Sequence, residues 1–177
     1  MTEKILSKRE QLLLAASQIV MEKGAAQLTL DAVAALAGVS KGGLLYHFPS
    51  KEALITGMIA HYLDTFEAHI TRVYAALPAE PGRWLRAYVC ASFDHDDTSP
   101  TLISAGLAAV VNQPDLLEAI QQQYTQWTIR ALDDGVAPEI VHIVMAATDG
   151  VWFGQALGVP QMAIKESLLQ LISRGSL

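Results

Sequence analysis

The stretch GVSKGGLLYHFPSKEAL, Gly38 to Leu54, gathers the groups in this chain best suited to gripping a polyanion. Ser40 offers a hydroxyl, Lys41 and Lys51 ammonium groups, Tyr46 a phenol and His47 an imidazole. Between them Gly42 and Gly43 stand side by side where a short helix should begin. A glycine inside a helix costs roughly 0.5–1 kcal/mol against alanine, so the pair calls for a compensating gain. A first turn without side chains lets backbone amides come close to a phosphate, which the positive end of a helix favours. Tight helix–helix packing is the alternative account of the same two residues.

A second group of residues lies further along. Trp84, Tyr88, Phe93, Tyr124, Trp127, Trp152 and Phe153 are aromatic residues of which most carry polar tips, and Asp149 sits among apolar neighbours. Such residues suit an apolar ligand cavity with a few polar points, as well as a plain core. An unpaired carboxylate in apolar surroundings is costly. Asp149 must therefore pair, cap a helix, reach the surface or await a cationic ligand. The run FDHDDTSP supplies Asp94, His95, Asp96 and Asp97, but adjacent residues point in different directions and no second His/Cys cluster matches them. A solvated loop is expected there, with no metal and no cofactor. Nucleophile-elbow, phosphate-loop, dinucleotide and HExxH patterns are all missing from the sequence. An enzyme built on this chain would have only Asp149 and the His95 loop to work with, so none is expected.

These groups need a scaffold, and the sequence writes it as all-α. Apolar residues recur at spacings of three and four, with no period-two alternation. Ser7 and Glu10 form a capping-box signature ahead of a helix over about 8–23, Thr29 caps a second and Ser40 a third. The seven prolines all fall at boundaries and partition the rest, giving about nine helices. Helices at about 29–37 and 40–47 are separated by only Gly38-Val39-Ser40, the tight turn of a helix-turn-helix, whose second helix enters a DNA major groove. Ala34, Leu36, Val39, Leu44 and Phe48 are the expected small core. The domain boundary is placed at residues 50/51, with a long helix from about Ser50 to Leu77 linking residues 1–50 to residues 51–177.

With these elements in place, REQLLLAASQIVMEKGAAQLTLDAVAALAGVSKGGLLYHFPSKEAL, Arg9 to Leu54, resembles the tetracycline-repressor (TetR/AcrR) family of bacterial transcription regulators. The resemblance implies an all-helical homodimer that binds double-stranded operator DNA and takes a small-molecule effector in a variable C-terminal domain. Carried over by position, Thr29, Ser40, Lys41, Gly42, Tyr46, His47 and Lys51 face DNA, with Gly43 beside them. Many members have Thr, Ser or Asn at the place of Gly43 and Tyr at that of Leu45. Side-chain base readout is therefore expected to be thin here, with shape and phosphate contacts carrying more.

The segment EIVHIVMAATDGVWFGQAL, residues 139–157, is apolar nearly all round, which suggests burial against its own domain and against a second copy. Ile143, Ala147, Gly150, Val151, Gly154, Leu168, Leu169 and Ile172 are the expected dimer contacts. The overall charge is −6, yet residues 1–52 carry a net +1 and residues 53–177 a net −7. A weakly basic reader on an acidic body disfavours DNA contact elsewhere on the surface. With one cysteine, Cys90, no internal disulfide is possible, and no long apolar run marks a membrane span. A cytoplasmic repressor, leaving a palindromic operator when a small aromatic or hydrophobic ligand binds, is the expected function. An activator of the same fold, or a dimeric helical interaction protein without ligand control, remains open at this point.

Overall fold

Helix α1, Lys8–Lys23, starts where its cap dictates: the Ser7 hydroxyl accepts the Glu10 N–H while the Glu10 carboxylate accepts the Ser7 N–H. The computed structural model describes residues 6–94, 114–156, 159 and 163–176. Among the described residues there are eight α-helices, one 3-10 turn over Ala25–Gln27 and an isolated antiparallel bridge between Val136 and Ser176. After α1 come α2, Leu30–Leu36; α3, Lys41–His47; α4, Lys51–Ala76; and α5, Arg83–Phe93. They are followed by α6, Pro114–Leu132; α7, Pro138–Ala156; and α8, Lys165–Arg174. The additional helix expected to open at Pro100 lies outside the described residues.

The chain divides into two units, one running to Tyr62 and the other starting at Leu63, so that α4 contributes to both. In the first, Leu12, Leu13, Ala16, Ile19 and Val20 of α1 meet Val33 and Ala34 of α2, Leu44 of α3, Phe48, and Leu54 and Met58 of α4. Gly38, at φ +63°, adopts the left-handed conformation that ends α2, and Val39 N–H reaches back to the Ala34 carbonyl at 3.0 Å. This closes the two-helix turn in three residues. Leu36 was expected in this core but is 47 % exposed. In so short a helix the inward face is taken by Val33 and Ala34, and Leu36 falls on the outer side.

The second unit is organised around α5, whose Trp84, Leu85, Ala87, Tyr88, Val89, Ala91 and Ser92 are all buried. Its N-terminus is capped from a distance. Asp134, in the loop after α6, accepts the Gly82 N–H on its backbone oxygen and the Leu85 N–H on its carboxylate, at 2.6 and 2.9 Å. Arg86 reaches α8, donating to the Leu169 carbonyl and the Ser173 hydroxyl. A side chain at Gly82 would run into Ile172 and Val136, so α5 and α8 meet closely there.

Candidate DNA-reading face and ligand site

In the first unit, two of the polar groups named for DNA contact also hold the motif together. The Thr29 hydroxyl accepts the Ala32 N–H and the Ser40 hydroxyl accepts the Gly43 N–H, both at 3.1 Å, which fixes the starts of α2 and α3. Lys41 pairs with Asp31 across the turn at 2.8 Å, both side chains being well exposed. The pair joins α2 to α3 and can yield Lys41 to a phosphate at little cost, since exposed ion pairs contribute ~0–1 kcal/mol.

One side of α3 is open to solvent: Lys41, Gly42, Leu45 and Tyr46, the last 85 % exposed with its ring edge-on to His47. His47 and Lys51 are half-buried. The two glycines separate in character. A Cβ on Gly43 would stand 2.9 Å from Val39 Cγ1 and 3.2 Å from the Ser40 hydroxyl, so a side chain there would have to displace the turn's own side chains. A Cβ on Gly42 would meet nothing within 4 Å. Among the described residues nothing asks for a glycine at 42, whereas a surface pressed against it would.

In the second unit the aromatic residues gather around Phe66 of α4. Its ring lies edge-on to Tyr88, Trp127 and Trp152, with centroids 5.9, 5.3 and 5.3 Å away, and Trp84 stacks on Tyr88. Four of their polar tips have partners. Trp152 donates its indole N–H to the Ser92 carbonyl at 3.0 Å, and Trp127 donates to the Glu67 carboxylate at 2.7 Å. Arg130 pairs with the same Glu67. Tyr88 and Tyr124 both donate to Asp149, one to each oxygen, which settles how that carboxylate is satisfied.

Burial pushes the Asp149 carboxyl above the usual carboxylate range, against the downward pull of the two tyrosine hydroxyls. Burial and the neighbouring carboxylate push the Tyr124 phenol further above its own. Among the described residues no cationic side chain pairs with Asp149. Of the other aromatic candidates, Phe93 is half-buried and Phe153 is 55 % exposed. Phe66 and Glu67 were not singled out from sequence. Phe66 sits on the apolar stripe of α4 and reads there as core, and Glu67 gains meaning only from partners 60 and 63 residues away.

On α7, Ile143, Ala146, Gly150 and Phe153 form an exposed stripe at alternating spacings of three and four, opposite the buried Val141, Val144, Met145 and Thr148. Ala147 and Gly154 flank this stripe, and Leu169 of α8 is half-buried. Val151, Leu168 and Ile172, named among the dimer contacts, are turned into their own chain, 4, 6 and 0 % exposed. Leu168 and Ile172 are on the side of α8 that packs on α5 and α7, and Val151 is on the inward side of α7 with Val144 and Thr148.

Asp94 forms an ion pair with Lys165 at 2.6 Å. His95, Asp96 and Asp97 lie outside the described residues. Among the described residues no three His, Cys, Asp or Glu side chains converge as metal ligands. Cys90 is half-buried, and burial pushes its thiol up, away from reactivity.

The family profile described as "Bacterial regulatory proteins, tetR family" matches residues 12–58, and that described as "Tetracyclin repressor-like, C-terminal domain" matches residues 82–173. The chain is 26 % identical over 148 residues to the HTH-type transcriptional regulator EthR of Mycolicibacterium smegmatis, covering 79 % of this chain and 68 % of that one. It is 28 % identical over 171 residues to the HTH-type transcriptional regulator BetI of Burkholderia mallei, covering 91 % and 88 %. A TetR-family regulator from Rhodococcus sp. superposes with a TM-score of 0.76 at 17 % identity, covering 95 % and 98 %. The multidrug binding protein EbrR, solved with ethidium, superposes at 0.68 with 22 % identity, covering 97 % and 99 %. At these identities the two structural likenesses speak to the fold.

Proposed function

The chain belongs to the tetracycline-repressor family of DNA-binding transcription regulators, and from that premise we propose that it is a repressor released from a palindromic operator by a small aromatic ligand. Regulators of this family are not enzymes, in keeping with the sparse catalytic inventory. The observation that carries the ligand reading is Asp149: a largely buried carboxylate held by two neutral phenols, inside an aromatic cluster, with no cation supplied by the described residues. Aromatic faces and a carboxylate together suit a flat or bulky organic cation. EbrR, of similar fold, is one that has been solved with such a cation, ethidium.

On the same reading Lys41, Gly42, Tyr46, His47 and Lys51 meet operator DNA, and the exposed α7 stripe packs on that of a second copy about a two-fold axis. The protein would act where the chromosome is, in the cytoplasm. Helix α4 carries Lys51 at its start and Phe66 and Glu67 past its middle, so it is the element through which a ligand could bias the spacing of two reading heads. A coupling of ~1–3 kcal/mol would change operator affinity by about 5–150-fold.

Tetraphenylphosphonium, an aromatic cation that does not intercalate, tests the ligand class. It is expected to raise the thermal midpoint of the wild type and to dissociate the DNA complex, and to do neither with Asp149→Asn. An equal effect on both proteins, or none on the wild type, overturns the assignment of Asp149 as the cation's partner.

A further inference from the structure

The solvent-facing side of α3 is short of the groups that read bases by hydrogen bonding. The whole helix is KGGLLYH and contains no Arg, Asn, Gln, Glu, Asp, Ser or Thr. The Thr29 and Ser40 hydroxyls are engaged as helix caps, and Lys41, released from its exposed pair with Asp31, goes to a phosphate on the reading above. What remains exposed beside Tyr46 is an apolar side chain, Leu45, 39 % accessible. Leu44, its neighbour in sequence, is fully buried, so Leu45 is not needed for the core. Gly42 lies one turn earlier on the same face, with open space where its Cβ would stand. Leu45 therefore has a notch at Gly42 on one side, three residues back, and Lys41 on the other, four residues back.

Among the features a base pair shows in the major groove, one is apolar: the 5-methyl group of thymine. We infer that Leu45 is the specificity-determining residue of the reading helix, and that it recognises a thymine methyl in each half-site by apolar contact, the notch at Gly42 leaving room for the base edge. This rests on α3 being the DNA-reading helix, and it makes the selectivity of the helix one of methyl groups rather than of hydrogen-bond patterns. Burying one methyl against Leu45 corresponds to about fourfold in affinity, and to about fifteenfold when both half-sites are changed.

The test uses the full-length protein and duplexes that it selects from a randomised 30-base-pair pool. Each thymine of a selected duplex is replaced in turn by uracil, which removes the methyl and keeps the pairing edge. The wild type is expected to lose about fourfold at one or two positions per half-site, and to regain it when a 5-methylcytosine·guanine pair restores a methyl there. Leu45→Ala is expected to bind the parent duplex more weakly, with unchanged salt dependence, and to be indifferent to uracil at those positions. A wild type indifferent to every uracil, or an equal uracil penalty in Leu45→Ala, overturns the inference while leaving DNA reading intact. Failure to enrich any duplex overturns the DNA-reading assignment, and this inference with it.

Discussion

At the scale of single residues, the tandem glycines show how far type and spacing can be trusted. Both were visible as anomalies in a helix, but only the packing divides them into Gly43, crowded by Val39 and Ser40, and Gly42, with none of the described residues within 4 Å of its Cβ position. Gly42→Ala should therefore stabilise the isolated protein by about 0.5–1 kcal/mol, read as a raised thermal midpoint, and weaken operator binding. Gly43→Ala should show no such gain, because its methyl must displace Val39. Asp149 makes a second prediction. Its carboxyl is raised in the folded chain, so the unfolded chain releases this proton first as pH rises. The contribution is present below the ordinary carboxylate range and is lost as pH climbs through the raised value. Urea midpoints of the wild type should fall relative to those of Asp149→Asn across that window. Cation binding should strengthen over the same window, as the carboxylate forms between Tyr88 and Tyr124.

Helices were legible wherever the signal was local. The Ser7–Glu10 box, the Thr29 and Ser40 caps and the Gly38 stop all appear where the sequence placed them, because each is a contact over three to five residues. Contacts over 49 to 63 residues were not legible: Asp134 on the start of α5, and Glu67 between Trp127 and Arg130. No periodicity announces such pairs, since what they satisfy is created only by folding. The aromatic cluster was half legible for the same reason. Its members stood out by type, whereas Phe66, which they surround, looked like any apolar residue of a long helix. Removing the distant cap by Asp134→Ala leaves the Leu85 N–H without its acceptor and should cost about 1–3 kcal/mol in denaturant unfolding. A loss below a few tenths would show that solvent replaces that cap freely.

For the molecule as a whole, charge and apolar surface divide the work. The reader end is near neutral while the remainder is strongly acidic, so binding should be confined to α3 and the start of α4 and should weaken with salt through Lys41 and Lys51. The apolar stripe on α7 provides the matching prediction for assembly. Because Ile143 is 54 % exposed, Ile143→Glu should shift sedimentation from dimer towards monomer while leaving the helical signal unchanged. A dimer undisturbed by that charge would place the interface elsewhere. The central claim, that this chain reads DNA through α3, is tested most directly by fluorescence anisotropy on a duplex selected by the protein. Wild type, Tyr46→Ala and Lys51→Ala would be compared at two salt concentrations. Saturable binding that weakens with salt and is reduced in both variants is expected; equal binding by all three proteins, or none by the wild type, would show that α3 is not the reading helix.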